Sequence, residues 1–173
     1  MENETLSTIY SRRSVRSFTG ESVSHETLIR LLKAGMAAPS AVNMQPWAFI
    51  VVTDRKTLDA LCDKLPYAKM LDKAGAAIVV CGNPDKDEVF SKEYWVMDCS
   101  AATENILLAA HALGLGAVWT AVHADKQRIE TVRKILNIPE NIIPLNVIPI
   151  GVPKDKGHVI NKFKEENIHW ERW

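Results

Sequence analysis

Cysteine is scarce in this chain, and its three copies, Cys62, Cys81 and Cys99, form no CxxC pair. An odd, scattered set excludes a disulfide framework and reads as reduced thiols in a cytoplasmic protein. Surplus charge of one sign is also missing, with 21 lysines and arginines against 21 aspartates and glutamates. A balanced chain has no general attraction to polyanions, so neither nucleic acid nor an anionic membrane surface is the expected partner. The longest mostly apolar stretch, Ala101 to Val118, is interrupted by Thr103, Glu104, Asn105 and His111, which makes it a core helix and not a membrane span. The first five residues, MENET, are acidic and lack an apolar h-region, so no signal peptide is expected.

Several catalytic signatures are absent too. Gly114-Leu115-Gly116 has no third glycine and follows a helix, so it is not a dinucleotide fingerprint. The sequence contains no Walker A lysine loop and no GxSxG elbow. His25, His111, His123, His158 and His169 stand apart, without HxxxH or HExxH spacing, and no metal site is expected. There is no internal repeat. The length suits one domain, residues 1–173, able to bury roughly 70% of the surface its unfolded form exposes.

What is present reads as alternating helices and buried strands. Leu6, Ile9 and Tyr10 share a helical face that ends near Ser11. Ser24 is a candidate N-cap, with Leu28, Leu31 and Leu32 as the stripe of a second helix that stops by Ala38, ahead of Pro39. Trp47 to Thr53 and Ala76 to Gly82 are almost wholly apolar strands; Asp54 caps a helix between them that Pro66 ends, and a short helical stretch is expected over Tyr67 to Lys73. A charged loop leads to a long central helix from Glu93 to Leu113. Ala117 to Ala121 is expected as one short strand, Asp125 caps a helix through Ile135, and Ile143 to Val152 is the last strand. Strands apolar on both faces, separated by helices, predict three layers, α+β or α/β. The tail from Pro153 to Trp173 is polar yet holds Ile168, Trp170 and Trp173, which calls for a docking partner.

Three stretches could carry chemistry. In an extended segment, Arg12, Ser14 and Arg16 share a face and offer two permanent cations and a hydroxyl, suited to a phosphate or an electron-rich ring. A solvated basic turn after a helix explains them as well. Pro39-Ser40-Ala41-Val42-Asn43-Met44-Gln45-Pro46 is a stiffened loop whose amides can read a heterocycle edge or satisfy their own backbone. Gly151, between Pro149 and Pro153, marks a close approach to the backbone or the exit of an edge strand. Asp98 and Glu104 are expected to pair or cap, His111 to be a satisfied core or interface residue, and Cys99 to be a small core hydrophobe.

Taken in order, Arg12-Arg13-Ser14-Val15-Arg16-Ser17-Phe18, Ala38-Pro39-Ser40 with Asn43 and Gln45-Pro46-Trp47, the helix DCSAATENILLAAHALGLG with Trp119 after it, Ile150-Gly151 and the closing Ile168-His169-Trp170-Glu171-Arg172-Trp173 resemble the nitroreductase family over nearly the whole chain. The resemblance implies a mostly antiparallel or mixed sheet flanked by helices, in a domain-swapped homodimer whose 153–173 arm docks on the partner subunit. It implies FMN at the subunit interface, with Arg12, Arg13 and Ser14 at the phosphate and Arg16 at the N1 and C2 edge of the isoalloxazine. Pro39, Ser40 and Asn43 would come from the other subunit, with Gln45 near the ring or ribityl chain. Trp119 and Thr120 would line the ring near N5, with Ile150 and Gly151 beside them. Lys162, or else Lys164, matches the C-terminal phosphate contact.

The activity so implied is hydride transfer from NAD(P)H through the flavin to nitroaromatics, quinones or similar small acceptors, in a ping-pong cycle that needs no protein nucleophile. Two alternatives remain: a specialised relative, such as a reductive dehalogenase or enoate-type reductase, and a flavin-binding protein without turnover. The 83–92 segment is compact, and Pro84 to Val89 offers no aromatic lid residue.

Overall fold

The computed structural model describes residues 3–155 and 157–173. Its helices are α1 (Glu4–Ser11), α2 (His25–Met36), α3 (Arg55–Lys64), α4 (Phe90–Ala112) and α5 (Lys126–Leu136). Its strands are β1 (Trp47–Val52), β2 (Ala76–Gly82), β3 (Gly116–Ala117), β4 (Thr120–Ala121) and β5 (Ile143–Gly151). The expected caps hold: Ser24 accepts from the Thr27 amide, Asp54 from Thr57 and Asp125 from Arg128, each satisfying a donor the first helical turn leaves free.

Every strand pairing is antiparallel, in the order β1-β2-β5-β3, with β4 also on β5. All seven residues of β2 are buried, and they divide by parity. Ala77, Val79 and Cys81 face Leu58, Leu61 and Val132 of α3 and α5, while Ala76, Ile78 and Val80 face Leu28, Leu31, Cys99 and Ile106 of α2 and α4. The three-layer α+β arrangement follows directly, because a strand apolar on both faces is stable only between two layers.

Four expectations need correction. The segment 117–121 is two strands, not one. Gly116 and Ala117 pair with Gly151 and Ile150, and Thr120 and Ala121 resume on Val147 and Asn146 in the same register. The break lies opposite Pro149, which has no N–H to give the ladder. Helix α4 starts three residues earlier than expected, because Asp87 Oδ1 accepts from the amides of Val89 and Phe90. Only Lys69–Asp72 of the 67–73 stretch is helical, as a 3₁₀ turn. Finally, β5 is an interior strand, so Gly151 is not an edge exit. A Cβ there would lie 3.1 Å from both the Phe18 ring and the Gly75 nitrogen, which leaves close approach as the reason for glycine.

The basic connection after α1 is stitched to the sheet. Val15 N donates to Ala117 O at 2.9 Å, Thr19 N to Val152 O at 3.0 Å, and Lys154 N to Ser17 O at 3.0 Å. Val15 and Phe18 turn inward to the core, leaving Ser14 and Arg16 exposed. Beyond Gly157 the tail is exposed throughout, with a single 3₁₀ turn at Glu165–Asn167. Among the described residues, no helix is long and apolar enough to cross a membrane.

Candidate functional site

The stitched connection delivers Arg16 to a cleft of about 610 Å³ walled by Tyr67, Lys69, Val118, Trp119 and Arg128. Val15 sets its position. The side chain packs directly over Gly116, where an added Cβ would sit 2.6 Å from Val15 Cγ1. Arg16 makes no ion pair among the described residues. Its charge is therefore open to a ligand.

The other residues of the segment point elsewhere than a single shared face. Arg12 Nε pairs with Glu104 Oε1 on α4 at 2.9 Å. Arg13 donates to the Asp155 carbonyl at 2.6 Å and lines a separate depression with His111 and Lys154. Ser14 bridges to Ala117 on the sheet edge and stays exposed. Glu104 and His111 behave as expected, since His111 is hydrogen-bonded to Ser11 Oγ at 2.8 Å. Burial first, then the nearby Arg12 and Arg13, lowers the His111 pKa and keeps the imidazole neutral.

Beside Arg16, Trp119 is half-buried in the cleft wall. Thr120 contributes its backbone there, because its hydroxyl donates to Val147 O at 2.6 Å. Ile150 and Gly151 lie beneath, buried in β5 as the partners of Ala117 and Gly116. The loop bearing Pro39, Ser40, Asn43 and Gln45 lies beside α4 and does not line the Arg16 cleft within one chain. It has its own architecture: Ser40 Oγ accepts from Gln45 N at 2.9 Å, and Lys86 Nζ donates to Gln45 O at 2.8 Å. Lys162 stands on the tail, where Ile9, Tyr10, Ile160 and Phe163 form a groove of about 680 Å³. Lys164 is 4.0 Å from Glu166.

Three lining residues are not marked by any sequence motif: Tyr67, Lys69 and Arg128. The Arg128 guanidinium lies 4.8 Å from the centroid of the Tyr67 ring, a cation–π contact at the rim. Lys69 donates to the carbonyls of Cys62 and Asp63 at the end of α3, which holds it at the cleft. The signal in the chain is slight: a basic residue three positions after the Asp125 cap, and an aromatic following Pro66.

The donor set fits a planar, anionic cofactor. Arg16, Lys69 and Arg128 are cations, the last paired with Asp125 at 3.3 Å, Trp119 and Tyr67 are aromatic, and no carboxylate among the described residues lines the cleft. The volume lies within the roughly 300–1,000 Å³ usual for small-molecule sites. Burial pushes the Cys81 and Cys99 thiols up to about 12, so neither forms a thiolate at neutral pH. Among the described residues, no three His, Cys, Asp or Glu side chains converge to hold a metal.

Comparison with known proteins bears on the family and the fold. The family model described as "Nitroreductase family" matches residues 9–65 and 60–152. A protein of Archaeoglobus fulgidus named "Putative NADH dehydrogenase/NAD(P)H nitroreductase" is 46% identical over 98% of this chain and 99% of its own length. A crystal structure bearing the same name, from Parabacteroides distasonis, superposes with a TM-score of 0.94 at 50% identity, covering 99% of this chain and 100% of that one. A Desulfovibrio desulfuricans structure solved in complex with FMN superposes with a TM-score of 0.82 at 32% identity, covering 100% and 99%.

Proposed function

Because the chain belongs to the nitroreductase family, we propose that it acts as an FMN-dependent homodimer moving hydride from NAD(P)H to nitroaromatic, quinone or similar small acceptors by a ping-pong mechanism. The observation that carries this reading is Arg16, an exposed guanidinium without an ion pair among the described residues, delivered to an aromatic cleft by a segment stitched to the sheet. FMN supplies the redox chemistry: it accepts a hydride from one substrate and gives it to the next. The protein supplies binding, orientation and charge.

Arg16 would hold a fixed positive charge at the N1 and C2 edge of the ring, where negative charge accumulates on two-electron reduction. A guanidinium held in place beforehand needs no reorganisation when that charge develops. Arg12 and Ser14 offer charge-assisted donors to the phosphate, with Arg13 beside them and Lys162 from the tail. Trp119 would wall the ring, with the Thr120 backbone near N5. Pro39, Ser40, Asn43 and Gln45 close the site from the second subunit. That assignment accords with their not lining the Arg16 cleft within one chain. The exposed apolar residues of the tail favour the dimer, because patches of this kind mark interaction surfaces. Three unpaired thiols accord with a reducing, cytoplasmic setting.

The test is optical. Purified protein should carry a flavin absorption band that bleaches with NADH or NADPH and recovers on adding a nitroarene or quinone. A band that bleaches but recovers only with another acceptor class would redirect the substrate assignment. A band that NAD(P)H does not bleach would make this a passive flavin carrier.

A further inference from the structure

We propose that Asp98, on α4, is a positioning residue that clamps the 39–46 loop in a strained shape suited to closing the FMN site, an inference that rests on the role proposed for that loop above. The strain is visible in the backbone. Val42 (φ 43°, ψ 29°), Asn43 (φ 58°) and Gln45 (φ 51°) are all left-handed. Asparagine tolerates this region, but a β-branched residue there is an outlier that persists only where its surroundings enforce it.

The enforcing contact comes from α4. Asp98 is only 6% exposed, and its Oδ1 accepts a hydrogen bond from the Ala41 amide at 2.9 Å, one residue before the strained stretch. Other ties are local, exposed or to a non-helical segment: Asn43 N to Ser40 O, Met44 N to Ala41 O, Gln45 N to Ser40 Oγ, Lys86 to the Gln45 carbonyl, and Asn83 N to Pro46 O at 2.7 Å. Asp98 is the buried tie from the loop to a rigid helix. Its second oxygen, Oδ2, is buried and without a hydrogen-bond partner among the described residues. Burying a half-satisfied carboxylate is costly, so packing alone does not account for an aspartate here. On the same helix, Asn105 Nδ2 donates to Ala34 O at 3.0 Å, so α4 also grips α2 just before the loop begins. The entry to the loop is therefore fixed to α4 at two points, Ala34 and Ala41.

When only a fraction of molecules holds the competent shape, apparent affinity falls by that fraction. Releasing the clamp lets left-handed residues relax to ordinary backbone, and a competent population of one in ten weakens binding about tenfold. Asp98 itself touches no ligand. It acts through Ala41.

The experiment compares wild type, Asp98→Ala, Asp98→Asn and the double variant Asp98→Ala/Val42→Asn. The readouts are FMN titration by fluorescence and amide hydrogen exchange of the 38–47 segment in FMN-free protein. Asp98→Ala should weaken FMN binding about tenfold or more and speed exchange in that segment alone. Asp98→Asn keeps an acceptor for the Ala41 amide and should stay close to wild type. Val42→Asn should restore much of the lost affinity in the alanine background, because asparagine accepts the left-handed backbone; a merely structural lesion would not be rescued this way. Unchanged loop exchange in Asp98→Ala, or a double variant no tighter than Asp98→Ala, overturns the clamp. Wild type that takes up no FMN would instead defeat the cofactor reading, and loop exchange would still decide the role of Asp98.

Discussion

Arg12 and Glu104 meet through Nε and Oε1 at 2.9 Å, a contact made at one edge of the guanidinium. A planar fork can satisfy a carboxylate with one edge and a phosphate with the other; an ammonium cannot hold that geometry. Arg12→Ala is therefore expected to weaken FMN about 10- to 100-fold, from the roughly 1.5–3 kcal/mol of a hydrogen bond to a charged group. Arg12→Lys should recover little of this. Riboflavin, which lacks the phosphate, provides the control: its affinity should be the same in all three proteins. Equal FMN affinity for wild type and Arg12→Ala would remove Arg12 from the phosphate site.

Arg16 has the opposite character. It is exposed, and it carries chemistry without supporting the core. Arg16→Ala should leave the thermal midpoint unchanged while slowing reduction of bound FMN by NAD(P)H about 10²- to 10³-fold, the usual cost of losing one preorganised charge-stabilising donor. Stopped-flow absorbance reads this directly. Reduction as fast as in wild type would refute the role.

Much of the scaffold is legible in the chain because it is encoded locally. Ala76 to Gly82 is apolar at every position, which only a strand between two layers can satisfy, and Ser24, Asp54 and Asp125 announce their helices within three residues. What stays hidden depends on distant partners. Val42 is left-handed next to an amide held by Asp98, 57 residues beyond Ala41. The break between β3 and β4 is caused by Pro149, a residue of another strand. Tyr67, Lys69 and Arg128 come from two separate stretches and meet Arg16 only once the sheet has formed. Of the proposed site, the basic segment can be read from sequence. The anions that claim Arg12 and Arg13 and leave Arg16 open cannot.

His111 makes stability depend on pH. Its folded pKa lies below the ordinary 6.5, chiefly through burial, with Arg12 and Arg13 adding repulsion. The unfolded chain therefore binds the proton more readily, so stability is complete above about pH 6.5 and is lost as pH falls from there toward the folded value. His123 is depressed in the same direction by burial and adds to the slope. Urea midpoints taken downward from neutral pH should fall. His111→Gln, which keeps a partner for Ser11 without a titrating ring, should flatten part of that decline. An unchanged slope in the variant would show that His111 is not its source.

The tail sets the last expectation. Val159, Ile160, Phe163, Trp170 and Trp173 are between 62% and 100% exposed, more apolar surface than a lone subunit ordinarily leaves in water. Groups of this size each contribute about 1.5–3 kcal/mol when fully buried, so docking them on a second subunit would supply much of what holds a dimer together. Removing residues 163–173 should raise the dimer dissociation constant at least about tenfold, and Trp170→Ser alone should move it in the same direction. Sedimentation equilibrium over a dilution series measures both. If the truncated chain associates as tightly as the full one, the arm does not hold the dimer, and the exposed tryptophans need a different partner. If it dissociates while each subunit keeps its cooperative unfolding, the arm is an interface element and not part of the fold.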